Sequence, residues 1–156
     1  MRQRDVFFGE LNRIKDDSIV LLYGDVGGEF LDEWSKYKNN MMPSEQLMIL
    51  TAAGLAKEGF KPYCFTIIPF LVFRPFEMIR LYMHHQQLPI RLVGIGAGKT
   101  YQEAGFTHWD SGDWHVVNGM DIEIWSNNYG AQENRVRESA RWSYTLNKPC
   151  YIRLER

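Results

Sequence analysis

Residues 44–58, Ser44-Glu45-Gln46-Leu47-Met48-Ile49-Leu50-Thr51-Ala52-Ala53-Gly54-Leu55-Ala56-Lys57-Glu58, lead within a few residues into Tyr63-Cys64-Phe65-Thr66-Ile67-Ile68. The first stretch reads as a helix of about four turns. The second is a short, continuous apolar run, the pattern of a strand covered on both faces. The same strand pattern recurs at Ile19-Val20-Leu21-Leu22-Tyr23, ended by Gly24, and at Ile90-Arg91-Leu92-Val93-Gly94-Ile95. Asp121-Ile122-Glu123-Ile124-Trp125 and Cys150-Tyr151-Ile152-Arg153-Leu154 make five runs. Helical patterns lie between them near residues 5–15, 29–37, 44–58, 75–86 and 129–146. This alternation predicts an α/β fold: a parallel sheet of about five to six strands with helices on both faces. Ligands of such sheets sit at the carboxyl ends of the strands. The segments after residues 23, 68, 95 and 125 are therefore the places to search.

Residues 47–56 carry no charge. A helix apolar all round is buried all round, and a chain of 156 residues has difficulty enclosing one completely. Two readings follow: a central helix covered by its own sheet, or a helix whose outer face meets another chain. Ala52, Ala53 and Gly54 would let a second helix approach closely. Gly54 weakens the helix by about 1 kcal/mol relative to alanine, which asks for a packing reason.

The length predicts one domain over residues 1–156. Apolar residues make up 45% and charged residues 24%, the balance of an ordinary soluble protein. A net charge of −1 with scattered basic residues argues against nucleic acid or an anionic membrane as partner. No run approaches the 18 or so apolar residues of a membrane span. The polar opening Met1-Arg2-Gln3-Arg4-Asp5 is unlike a signal peptide, so a cytoplasmic location is expected. Cys64 and Cys150 lack metal or disulfide spacing and read as buried thiols.

Glu45 sits in the first turn of the apolar helix, where a carboxylate complements the helix N-terminus. The next strand runs into Ile68-Pro69-Phe70-Leu71-Val72-Phe73-Arg74-Pro75-Phe76, with three phenylalanines at three-residue spacing. Such a set packs a core or offers a stacking surface to a flat heteroaromatic ring. Gly94-Ile95-Gly96-Ala97-Gly98-Lys99-Thr100 evokes a phosphate-binding loop, but Val93 stands where the first glycine is needed. His84 and His85 are adjacent and do not share a helix face, so no metal site is expected there.

Taken together, the ordered motifs resemble the pyrimidine domain of the transketolase family. They are Gly-Asp-Val-Gly (24–27), Pro-Ser-Glu-Gln-Leu-Met-Ile-Leu-Thr-Ala-Ala-Gly-Leu-Ala-Lys-Glu-Gly (43–59) and Phe-Thr-Ile-Ile-Pro-Phe-Leu-Val-Phe-Arg-Pro-Phe-Glu-Met-Ile-Arg (65–80). Val-Gly-Ile-Gly-Ala-Gly (93–98), Gly-Phe-Thr-His (105–108) and Pro-Cys-Tyr-Ile-Arg-Leu (149–154) follow in register. The resemblance implies thiamine diphosphate as cofactor, with Glu45 hydrogen-bonding N1′ of its aminopyrimidine. A carboxyl there favours the imino tautomer, whose nitrogen takes the C2 proton of the thiazolium. The resemblance also implies an aromatic wall of Phe70, Phe73 and Phe76, and Asp25 near the cofactor at a subunit boundary. It places His108 toward the substrate as a catalytic and binding residue, and Arg156 on a sugar phosphate.

The family's diphosphate is held by magnesium or calcium on a Gly-Asp-Gly motif with an asparagine some 25–30 residues on. Here Gly24-Asp25-Val26 has valine third, and Asn39-Asn40 come too early. The resemblance therefore implies that a diphosphate-binding partner chain holds the metal and that the two chains share the cofactor. A heterotetramer, or self-association through residues 44–58, is the implied assembly. The implied reaction moves a ketol unit between sugar phosphates or related aldehydes. Two other readings stand beside it: a decarboxylating carboligase subunit, and a non-catalytic structural or regulatory subunit. Asp110 and Asp113, near His108, are substrate contacts or loop caps. The family usually carries Glu-Asp where this chain has Gly112-Asp113.

Overall fold

Alternate residues of a strand face opposite sides of its sheet, so a strand covered on both sides must be apolar throughout. The inner strands of the computed structural model are mostly apolar, with Thr66, Arg91 and Arg153 among the polar exceptions. The structure describes residues 2–24, 26–27, 30–98, 100–110, 112–127 and 130–155. The strands are β1 (Ile19–Tyr23), β2 (Lys38–Asn40), β3 (Lys61–Ile67), β4 (Arg91–Ile95), β5 (Glu123–Ser126) and β6 (Cys150–Leu154). They form one six-stranded sheet in the order β2-β1-β3-β4-β6-β5, with every pairing parallel.

The helices divide between the two faces. Ile19, Leu21, Tyr63, Phe65, Val93 and Ile152 share a core with α1 (Gln3–Arg13), α2 (Phe30–Glu33) and α7 (Glu133–Thr145). Their neighbours Val20, Leu22, Cys64, Leu92 and Tyr151 pack on the other side. There they meet α3 (Glu45–Lys57), α4 (Ile68–Phe73), a π-helical segment (Ile79–His85) and α6 (Asp113–Asn118). A short helix, α5 (Phe76–Met78), joins α4 to the π-helical segment. Each fully buried Leu, Ile or Phe contributes roughly 1.5–3 kcal/mol of transfer free energy. Two layers of helix on one sheet are therefore what these strands require.

Several expected boundaries shift. The helix expected over residues 29–37 is only the four residues of α2, because the chain then straightens into β2. That strand is exposed throughout and pairs along β1, so no apolar pattern announces it. The third strand ends at Ile67, and Ile68–Phe73 coil into α4 with Pro69 in the first turn, where its missing N–H is harmless. The helix expected over 75–86 is α5 followed by the π-helical segment. A further helix, α6, has too short an apolar pattern to be expected from the sequence.

The helix at residues 44–58 divides its surface. Met48, Ile49, Ala52, Ala53 and Ala56 pack on the sheet, whereas Leu47 and Leu50 point outward. Beyond the backbone of its own helix, no described residue comes within 4 Å of where a Cβ on Gly54 would stand. The packing reason for that glycine is therefore not found among them. No helix of the described residues is long and apolar enough to cross a membrane.

Candidate functional site

Parallel strands place all their carboxyl ends along one edge, and the helices that follow them begin there. The N-terminus of α3 and the start of α4 therefore meet at that edge. Ser44 caps α3, its Oγ accepting from the Leu47 amide at 3.3 Å. Glu45 follows, and only 5% of its side chain is exposed. α4 begins as soon as β3 ends, and it packs close to β4: a Cβ on Gly94 would stand 2.6 Å from the Ile68 side chain. That contact seats α4 over the sheet edge.

Between α4 and the segment after β4 lies a cleft of about 440 Å³, lined by Pro69, Phe70, Phe73, Arg74, Phe106, Thr107 and Trp109. Arg74 connects its parts. Its Nη1 donates to Glu45 Oε1 at 2.9 Å, and its guanidinium carbon lies 3.6 Å from the centre of the Phe70 ring. The His108 ring meets the same phenylalanine edge-on, with centroids 4.8 Å apart and planes at 71°. His108 Nδ1 is 3.0 Å from the Thr107 hydroxyl. Glu45, Arg74, Phe70 and His108 thus form one continuous row.

The segment from β4 to α6 is fastened by a second group. The Gly98 amide donates to Asp110 Oδ2 at 2.8 Å, and Arg153 also bonds Asp110. Arg153 Nε donates to Asp113 Oδ2 at 2.8 Å, and the Tyr151 hydroxyl donates to the same oxygen at 2.7 Å. Burial, followed by the neighbouring Asp113, pushes the Asp110 carboxyl up to about 6. Burial also acts to raise Asp113, but hydrogen bonds involving Asp110 and Tyr151 and the Arg153 charge outweigh it and hold Asp113 below the usual range. Of the two sequence readings of these aspartates, the observed contacts are those of loop fastening.

The structure brings together Glu45, Phe70, Phe73 and His108 at one edge. Phe76 is 41% exposed and is not among the residues lining the cleft, because it begins the next helix. Asp25 and Arg156, expected near cofactor and substrate, lie outside the described residues. Arg74, Phe106 and Trp109 are the residues that sequence reasoning passed over. Arg74 had a usable signal: it stands four residues after Phe70, the spacing that puts two helical side chains on one face.

Elsewhere the histidine and cysteine candidates are structural. His84 Nδ1 accepts from the Asp121 amide at 2.8 Å. Cys64 and Cys150 are buried, which pushes both thiols up and leaves them unreactive. Among the described residues no group of three or more metal-ligating side chains occurs.

Comparisons with known proteins point to one family and to this fold. The family described as transketolase, pyrimidine binding domain, matches residues 13–156. A subunit of the apulose-4-phosphate transketolase of Actinobacillus succinogenes is 27% identical over 127 residues, covering 81% of this chain and 40% of that protein. A putative transketolase C-terminal section of Methanocaldococcus jannaschii is 28% identical over 149 residues, covering 91% and 46%. The chain thus spans less than half the length of these curated relatives. A solved split-gene transketolase, described as an inactive beta4 tetramer, superposes with a TM-score of 0.84 at 22% identity, covering all of this chain and 51% of that one. At that identity the superposition establishes the fold alone. A profile match across nearly the whole chain, on a parallel six-stranded sheet with its cleft at the carboxyl edge, places this chain in the transketolase pyrimidine-binding domain family.

Proposed function

We propose that this chain supplies the pyrimidine side of a thiamine-diphosphate cleft completed by a second chain, in an enzyme of transketolase type. One observation carries the reading: an enclosed carboxylate, Glu45, and an aromatic ring, Phe70, are both engaged by one flat N–H donor, the Arg74 guanidinium. A site that accepts a planar group with a nitrogen-bound proton suits an aminopyrimidine, so the residues present fit this cofactor. When bound, thiamine diphosphate supplies a thiazolium carbon able to hold a carbanion. Glu45 would hold the proton at N1′ of the ring, and Phe70 and Phe73 would wall the ring from water. His108, packed on Phe70, would face the substrate and bond its oxygens. Asp25 and Arg156 keep their proposed places beside cofactor and sugar phosphate on the resemblance alone.

The diphosphate and its magnesium or calcium belong, in this reading, to the partner chain. The names of the relatives support a divided enzyme, since one is called a transketolase subunit and another a C-terminal section. The outward face of α3, with Leu47, Leu50 and Gly54, is the surface a partner or second copy would cover. Residues 1–156 would serve as one domain of that assembly. The reaction class is ketol transfer between ketose and aldose phosphates or related aldehydes.

The test is to co-purify the chain with a diphosphate-binding chain and titrate thiamine diphosphate against wild type and Glu45→Ala. The cofactor should activate only the complex, and the substitution should lower turnover about 10²-fold or more, the scale of a lost proton-transfer partner. Full activity in Glu45→Ala would sink the assignment. Release of carbon dioxide from a 2-oxo acid in place of ketose cleavage would move the chain to the decarboxylating class.

A further inference from the structure

Arg74 occupies the space between Phe70 and Glu45 that the proposed reading reserves for a ring. Its plane can stack on the phenylalanine face, and its N–H satisfies the carboxylate. A stacked aromatic ring requires that same face at about the same separation. Guanidinium and ring therefore exclude one another. We propose that Arg74 is an internal plug: in the chain alone it mimics the aminopyrimidine, and it must swing out before the cofactor ring seats between Phe70 and Glu45. The proposal rests on the cofactor reading given above.

Three features make the plug workable. Glu45 is enclosed and needs a hydrogen-bond partner; in a chain that lacks its cofactor Arg74 supplies it, and water entering at the half-exposed Arg74 position can take its place when the side chain swings out. Arg74 is 46% exposed along its side chain, so its outer part has solvent to move into. Its backbone, at φ −65 and ψ −46, continues the helical geometry of α4, so displacement needs only side-chain rotation. Removal of the plug therefore leaves the walls of the site standing.

If the plugged form holds about nine molecules in ten, the apparent affinity for the ring is lowered about tenfold. The experiment titrates the whole chain with 4-amino-5-hydroxymethyl-2-methylpyrimidine, following Trp109 fluorescence at the cleft and heat on mixing. Arg74→Ala should bind this fragment about tenfold more tightly than wild type, and the gain should vanish in Arg74→Ala/Glu45→Ala. Arg74→Lys, which keeps the charge but loses the flat face, should fall between. A readout free of any ligand comes from the Arg74 Nε–H resonance, which should shift on Glu45→Gln in the wild-type background.

Equal or weaker binding in Arg74→Ala, including none detectable at millimolar fragment, overturns the plug. If that result accompanies weaker thiamine-diphosphate binding by the complex of the Glu45→Ala or Phe70→Ala chain, the cofactor site stands and only the plug falls. If neither of those substitutions changes cofactor binding, both readings fall together.

Discussion

Two arginines meet carboxylates at the same edge of the sheet, and they do opposite work. Arg153 is 17% exposed and bonds both Asp110 and Asp113, the latter also held by Tyr151. Arg74 is 46% exposed and, among the described residues, is paired with one carboxylate, Glu45, and one ring, Phe70. The chemistry of the two contacts is the same; the number of partners and the access of water differ. An ion pair with several enclosed acceptors fixes the backbone around it, whereas one half open to solvent contributes little and can be exchanged for another ligand. The first kind secures the segment that carries His108, and the second stands where chemistry is proposed.

The sharpest way to break this contrast is Arg153→Ala. It leaves two neighbouring carboxylates without their cation and should destabilise the chain by about 3–5 kcal/mol, read as a lowered urea midpoint. A loss below about 1 kcal/mol would show that the Arg153 group is no more a rivet than Arg74.

A smaller effect follows from Asp110. Its carboxyl is raised to about 6 by burial and Asp113, so the folded chain holds that proton more tightly than the unfolded chain does. The associated stability is fully present below the ordinary carboxylate range, about pH 4, and is lost as pH rises through about 6. Wild type should therefore lose on the order of 1–2 kcal/mol relative to Asp110→Asn between pH 4 and 6.5, after allowance for solvent screening. Parallel urea midpoints across that range would remove Asp110 from the account.

The smallest effect is Arg74→Ala measured on stability alone. A half-exposed pair should change the unfolding free energy by less than about 1 kcal/mol. A loss above about 2 kcal/mol in the same denaturation experiment would make Arg74 a structural residue and erase the comparison.

Much of the fold was legible because the strands are covered on both sides. Ile19–Tyr23 and Cys150–Leu154 have the expected limits, since both are apolar runs in which Arg153 is the one charged side chain. β2 was illegible for the opposite reason: Lys38-Asn39-Asn40 is a strand because β1 offers it a free edge, not because anything apolar needs burial. In α4, Ile68-Pro69-Phe70-Leu71-Val72-Phe73 carries strand-like composition, yet it coils and packs Leu71 and Val72 beneath the layer over β4. Glu45 and Phe70 could be marked from motif and spacing. Phe76 shares the three-residue spacing of Phe70 and Phe73 but not their helix, because the helix breaks between Phe73 and Phe76.

Alone, then, the sequence determined the α/β class, the parallel order of helix and strand, and the acid and aromatic residues assigned to the edge. Those depend on local periodicity and on residue type. Only the tertiary structure decided that Glu45 is held by Arg74, 29 residues away, that Phe70 is flanked by Arg74 and His108, and that two aspartates share Arg153. Charge pairing and ring stacking act through space, so their partners are set by which strand ends the sheet brings side by side. Glu45 is marked by its place at a helix start, but what it holds is decided by the fold around it.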